Sequence, residues 1–463
     1  MLKFGVIFHN CDMKIQRIFG ITSEINFISP QKEFNIYWNS FLESELGGIY
    51  QSIPWKSLSK GFKLKESLKG PQRIFSPQGM LALMFLKSYT GCSDRKLIEY
   101  LNGNIDFQMF CGIFLGGKRI TNYKIVSEIR SQLSAKLNIE EVQKILAFHW
   151  KPYLNQPNIM LTDATCYESS VRYPTNVKLL WESVDWCYGQ MVLMCKYLKV
   201  RTPRSKFIVQ RGKYMNYSRK RKKSRKETTV RIRSLLYLLD KLLDLLNNIE
   251  NENSHLLELP SKYHRQIQII KTVLNQQRQI FETGESVPDR IVSLAKSYIR
   301  PIVRGKEVKS VEFGAKVNMI QFDGINFIEH LSFNAFHEGI RLQKSVRYGR
   351  DLIGKITHLS GDDIYATNAN RNWCASQNIV HGFKRKGRAG KYEEQRRVLV
   401  SELRKERATR MEGSFGTEKE YYGLQKIKAR TKANEMLWIF FGVHTANAVN
   451  IAKRMSVRKH KAA

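Results

Sequence analysis

The sequence predicts an α/β domain that is interrupted by a helical insertion and preceded by an all-α segment. Two short apolar runs each lead into an aspartate: "IMLTDATCYESS" at 159–170 reaches Asp163, and in "KITHLSGDD" Ile356 and Leu359 lead to Asp362. Between them a long Leu-rich helical block gives way, at 308, to a β pattern with an Asp-Gly turn. Strands and helices in mixed order around a purely helical block describe an α/β domain carrying an insertion.

Taken in order, residues 1–36 carry only weak signals and read as a loosely held extension. From 37 to 150 the pattern is helical. Ser76-Pro77 supplies an N-cap followed by proline at the first helical position, opening "SPQGMLALMFLKSY". Ser93 caps "SDRKLIEYL" and Thr121 caps "TNYKIVSEIRSQL" in the same manner. Three short helices with brief connections make a module of the helix-turn-helix kind, suited to DNA, although a purely structural bundle has the same pattern.

The first strand then ends at Asp163, and Pro174-Thr175 opens a helix, "TNVKLLWESVDW". Residues 190–300 form a basic helical insertion. Its run "RKRKKSRK" at 219–226 is basic at seven of eight positions; such a run is either a solvated loop or a phosphate contact. "SLLYLLDKLLDLLNNI" and "YHRQIQIIKTVLNQQRQIF" read as a helical hairpin whose apolar stripes pack on each other or on a second subunit. "VKSVEFGAKVNMIQFDGINFIEHLSF" is a two-stranded hairpin turning at Asp323-Gly324. A helix, "EGIRLQKSVRYGRDLI", precedes the strand that reaches Asp362. Two further helices, "YEEQRRVLVSELRKERATRMEGSFG" and "NEMLWIFFGVHTANAVNIAKRM", close the domain before a basic tail at 456–463. The α/β domain is thus read at 151–189 and 301–455.

Composition restricts the partner. The 463 residues hold 77 Lys and Arg against 41 Asp and Glu, a net charge of +36, which calls for a polyanion. The longest apolar run, "LWIFFGV" at 437–443, falls far short of the roughly 20 residues of a membrane span, and the first residues lack a signal-peptide pattern. Nucleic acid is therefore preferred over a membrane face. Seven scattered cysteines without C-x-x-C, and ten histidines without H-x₃₋₅-H, argue against a zinc finger or disulfide framework and fit a reducing cytoplasm. Any metal must be held by carboxylates.

The candidate carboxylates are Asp163, Asp362 and Glu412. The aspartates sit at strand ends, where polar groups of an open α/β sheet gather in one crevice. Glu412 follows a helical stretch, 384–410, with eleven Lys or Arg against four Glu, where an acid is ordinarily an ion-pair partner. Phosphodiester chemistry gives a reason to bring three acids together. Two Mg²⁺ ions about 3.5–4 Å apart activate the nucleophile, stabilise the leaving oxygen and relieve charge at phosphorus. Mg²⁺ prefers oxygen ligands from a few carboxylates.

At these residues the sequence resembles bacterial insertion-sequence transposases of the DDE type, which have a ribonuclease H-like catalytic domain and a helical N-terminal domain. "DATCYESSVRYPTNVKLL" is similar to their first catalytic strand, "SGDDIYATNANRNWC" to their second motif and "RMEGSFGTEKEYYGLQKI" to their third. "RIFSPQGMLALMFLKSYTGCSDRKLIEYLNGNIDFQMFCGI" and "IRPIVRGKEVKSVEFGAKV" are similar in the same order, so that the likeness runs from about 37 to 452. It implies that Asp163, Asp362 and Glu412 bind two Mg²⁺ ions, with Mn²⁺ able to substitute, and that the chain cleaves and joins DNA at terminal inverted repeats. It also implies a homodimer or larger assembly on paired ends, located with the nucleoid in the cytoplasm. Double-stranded DNA is the implied partner: Arg172, Tyr173, Arg371 and Lys419 are the DNA-binding candidates within the matching motifs, and Lys220, Arg221, Lys222 and Lys223 join them from the charge of the basic run. Lys419, seven after Glu412, fits the E-x₆-K spacing. Two departures stand out: Ala408 and Lys405 occupy places where relatives carry Arg and Tyr, and the residue after Asp362 is a second acid, Asp363. A DNA-binding protein without catalysis and a metal-dependent nuclease are the alternative functions.

Overall fold

The computed structural model describes residues 30–66, 73–303 and 311–462. Most of the extension read at 1–36, and part of the "IRPIVRGKEVKSVEFGAKV" segment, lie outside the described residues. Among the described residues eight helices precede the first strand: α1 (Pro30–Glu43), α2 (Glu45–Gln51), α3 (Trp55–Gly61), α4 (Pro77–Thr90), α5 (Asp94–Gly103), α6 (Ile105–Phe110), α7 (Lys124–Ser134) and α8 (Ile139–Trp150). Ser76 Oγ accepts the Gly79 N–H and Ser93 Oγ the Lys96 N–H, so both predicted caps form. Thr121 is not a cap. The helix opens only at Lys124, because Asn122 Oδ1 takes the Lys124 N–H in a local turn that competes with an earlier helical start.

Strand β1 (Ile159–Ser169) is followed by α9 (Asn176–Tyr197), α10 (Phe207–Arg219), α11 (Arg225–Glu252) and α12 (Ser261–Thr283). Then come β2 (Pro301–Val303), β3 (Val311–Phe322), β4 (Ile325–Ser332), α13 (Leu342–Leu352), β5 (His358–Gly361), α14 (Asn368–Ser376) and β6 (Val380–His381). The chain closes with α15 (Glu393–Glu406), a π-helical segment at Arg407–Glu412, α16 (Gly413–Tyr421), β7 (Lys426–Ile427) and α17 (Lys432–Ala462).

The described strands form one mixed sheet of seven. β3 is antiparallel to β1 along almost its whole length, and β2 and β4 lie on its other edge. β1 pairs in parallel with β5 at Ile159–Thr162 and with β7 at Glu168–Ser169, while β6 continues beyond β5. The turn between β3 and β4 is the predicted Asp323-Gly324, both at positive φ, 49° and 79°, as a tight hairpin of this twist requires. Gly314 is required for a different reason: a Cβ there would collide with the Tyr167 carbonyl across the ladder.

β1 does not end at Asp163. It runs on to Ser169 because β3 stays paired with it to Glu168, and Thr165 and Tyr167 suit an extended backbone. Small residues after an acid read as a turn only while the partner strand is unknown.

Two apolar cores flank the sheet and a third fills the insertion. On one face Ile320, Phe322 and Phe327 join Phe62 and Phe85 of the N-terminal helices and Phe440 and Phe441 of α17. The Phe62 and Phe441 rings stack with centroids 6.2 Å apart, and Phe85 meets Phe441 edge-on at 5.0 Å. The N-terminal helices thus share their core with the sheet. On the other face Leu161, Tyr167, Val317 and Met319 pack against Met411 and Phe415. Helices α9, α10, α11 and α12 bury their own cluster, including Val184, Leu239, Leu242 and Ile270. α11 and α12 are the predicted Leu-rich hairpin, and α9 crosses residue 190 without a break.

Candidate active site

Alternation along β1 puts Leu161, Asp163 and Tyr167 on one face. That face is covered by the π-helical segment and α16. β5 leaves the edge of β1 at the pair Thr162–Gly361, so Asp163 and Asp362 are the next residues of two neighbouring parallel strands just where they diverge. Asp163 therefore sits at a gap in the sheet edge between β5 and β7, not at the end of its own strand.

Asp362 Oδ1 accepts the Asp363 N–H at 2.7 Å and caps a short turn, leaving the side chain exposed. Asp363 faces elsewhere, toward Lys384 at 3.3 Å and Arg404 at 3.5 Å. Of the two adjacent acids, Asp362 is the one whose charge acts on Asp163.

Glu412 ends the π-helical segment. Arg407, which begins it, places Nη1 2.7 Å from Asp163 Oδ2 and 3.0 Å from Glu412 Oε1. One guanidinium thus joins the first acid to the third. Asp163 is 15% exposed and Glu412 51%, so the pair with Asp163 is the less solvated. Burial lifts the Asp163 carboxyl to about 6; Arg407 and the Ala164 N–H oppose the rise, and Glu338 and Asp362 add to it. Glu338 is a fourth acid near this point that sequence reasoning missed; it pairs with Lys316 at 2.6 Å.

Beneath Glu412, α16 buries Glu418 completely. Tyr167 Oη donates to one of its oxygens and Asn326 Nδ2 to the other, the latter at 2.6 Å. Asn326 also donates to Ser414 Oγ at 2.8 Å. Desolvation pushes the Glu418 carboxyl up to about 7 against these two donors. The network fixes α16 on β1 and β4.

Among the described residues no three His, Cys, Asp or Glu side chains are close enough together to hold a metal ion. Arg407 links Asp163 to Glu412, and Asp362 follows the strand that pairs beside Asp163. The ion pair of Glu412 is the ordinary reading of an acid in a basic stretch, and it is present.

The DNA-binding candidates are dispersed. Lys419 lies over the Tyr167 ring, 5.9 Å from its centroid, along the same strand face as Asp163. Arg172 and Tyr173 follow the far end of β1, about 20 Å of strand from Asp163. There Arg172 borders a cavity of about 430 Å³ with Lys178, Trp186 and Lys296, and Tyr173 meets Phe313 edge-on. Arg371 is turned inward, over the Phe383 ring and onto the Ala366 carbonyl. Lys220, Arg221, Lys222 and Lys223 form the exposed loop between α10 and α11, where Lys220 pairs with Glu227 at 2.9 Å and Lys223 lies over Tyr217.

The loop belongs to a longer feature. From 186 to 226 the chain holds fourteen Lys or Arg and no Asp or Glu, and all fourteen are exposed. Among the described residues no helix is long and apolar enough to cross a membrane. Six cysteines are described, all free.

Residues 35–132 match the family model described as "Transposase domain (DUF772)". The match runs from within α1 through most of α7 and supports a transposase family. No curated protein and no solved structure matches the chain.

Proposed function

We propose that this chain is a transposase that binds the inverted repeats at the ends of an insertion sequence and cleaves and joins DNA with the acids Asp163, Asp362 and Glu412. The observation that carries the reading is the register of β1 with β5. It sets Asp163 beside Asp362, under the helical segment that ends in Glu412. The sheet order, with one long antiparallel strand beside parallel neighbours, is what a ribonuclease H-like catalytic domain would have. The transposase match on the N-terminal helices supports the same family from an independent part of the chain.

The donor chemistry suits Mg²⁺, since all the ligands are carboxylate oxygens; with the Arg407 guanidinium standing between two of them, the three acids are not close enough together to hold an ion until it moves. Asp163, Asp362 and Glu412 would hold the ions. When bound, the ions would activate a water or a DNA 3′-hydroxyl as nucleophile and relieve charge at phosphorus. The chain's own groups do the rest. β1 and β5 fix the two aspartates to the rigid sheet, and Lys419, on the same face, holds a phosphate of the strand being cut. The acid-free stretch from 186 to 226 and the N-terminal helices grip the duplex through its phosphates. Two copies on paired ends complete the assembly.

The test is a plasmid carrying labelled terminal repeats. Wild-type protein with Mg²⁺ gives joined products, and Asp362→Ala gives none while still retarding DNA in a gel. Nicks without joining identify a nuclease. Retardation without cutting identifies a binding protein, the reading that the Arg407–Glu412 pair favours.

A further inference from the structure

The role of Arg407 goes further, and it rests on the metal reading just given. In a regular α-helix, residues five apart point about 140° away from each other. Arg407 and Glu412 are five apart, yet one nitrogen reaches both Glu412 and Asp163. The π turn makes this reach possible. Such turns are uncommon and recur at functional sites. This one is held from outside: Arg410 pairs with Asp323, Gln321 Nε2 donates to the Arg410 carbonyl, and Met411 is buried.

A guanidinium bonded to an oxygen of Asp163 and an oxygen of Glu412 takes up charge that a divalent ion on the same carboxylates needs. The two cations compete, and by linkage each weakens the other's binding. An anion that draws Arg407 away must then strengthen the divalent ion. The phosphodiester that this basic protein brings to the site is such an anion.

We propose that Arg407 is a built-in competitor for the divalent cation: it bridges Asp163 and Glu412 in the ion-free protein and transfers to a DNA phosphate when the ions enter, so that metal loading depends on DNA. Arg407 is a positioning residue in this scheme. It holds the half-shielded Asp163 carboxylate in place until substrate arrives.

The test is Mn²⁺ binding, followed by electron paramagnetic resonance of the free ion, with the full chain and without any activity readout. Arg407→Gln binds Mn²⁺ about tenfold more tightly than wild type in the absence of DNA. A short duplex of mixed sequence, with its own Mn²⁺ binding subtracted, tightens Mn²⁺ binding to wild type by a similar factor and leaves Arg407→Gln unchanged. Circular dichroism establishes that the variant is folded. Should it not fold, Arg407→Lys, which keeps the charge but loses the planar fork, shows a smaller gain in the same direction. Asp163→Asn separates the two levels of the scheme. If it loses Mn²⁺ while Arg407→Gln binds no tighter than wild type, the competitor role is overturned and the metal site stands. If Asp163→Asn binds Mn²⁺ like wild type, the metal site itself is overturned, and the competitor role with it.

Discussion

The carboxylate of Asp323 lies 2.6 Å from Arg410 Nη1 and ties the tip of the β3–β4 hairpin to the π-helical segment. Its second oxygen meets Arg454 of α17 at 3.0 Å and accepts the Asn155 N–H at 2.9 Å. Asp323 is only 5% exposed, so these partners surround a charge that water barely reaches. Asp323→Asn keeps a side chain that tolerates positive φ but removes the charge. It is expected to lower stability by about 2–3 kcal/mol, the worth of one or two hydrogen bonds to a charged group, measured by urea unfolding. An unchanged midpoint would mean that the hairpin tip holds the segment by packing alone.

Glu418 gives a pH prediction. Its folded value of about 7 lies above its ordinary 4.5, so the folded protein binds the extra proton between those limits. Stability therefore falls as pH rises from 4.5 to 7, and the full burial penalty is present above 7. Glu418→Gln has no charge to bury. Its melting temperature should gain on wild type steadily across that window, reaching on the order of 3 kcal/mol of relative stability at pH 8. A gap between the two proteins that does not change with pH would contradict the assignment.

Deleting Thr409, exposed within the π-helical segment, should return the helix to regular α geometry. Arg407 and Glu412 then stand four apart, on one face of an α-helix. Their pairing and Mg²⁺-dependent cleavage should both survive, and a fall of about a hundredfold or more would mean that the wider turn is itself needed to place Glu412. Gel retardation of DNA should persist, since the fourteen exposed cations are untouched.

Those cations have their own signature. Replacing Lys220, Arg221, Lys222 and Lys223 together by Ala should weaken binding to all DNA sequences alike. The slope of log affinity against log salt should drop by about 0.9 for each phosphate that the loop no longer neutralises. If the slope stays as in wild type, the loop faces only solvent.

Much of this arrangement can be read from the residues. Ser76, Ser93 and Thr175 announce their helices because a side-chain oxygen at that place accepts an orphan N–H. Asp323-Gly324 announces its turn because both residues tolerate positive φ. The convergence of Asp163 and Asp362 is expected from apolar runs leading into acids, although the reason is the divergence of β5 from β1 and not the end of a strand. The π-helical segment is not legible. Spacing arguments assume 3.6 residues per turn, which points to Ala408, whereas the wider turn brings Arg407 to Glu412. Glu338 escapes notice because no local pattern reports proximity across a sheet. Nor does any sequence period reveal that the N-terminal helices and the sheet share one core.

That shared core has a bearing on how the chain is made. Phe440, Phe441 and Ile451 of α17 fill the space between the N-terminal helices and the sheet, and Ser52 Oγ donates to the Ala448 carbonyl at 3.1 Å. On a ribosome these partners emerge last, after every element they join. The early helices must wait, with large aromatic rings uncovered, for most of the time translation takes. Nascent chains of this protein are therefore candidates for chaperone capture until residue 451 has left the exit tunnel.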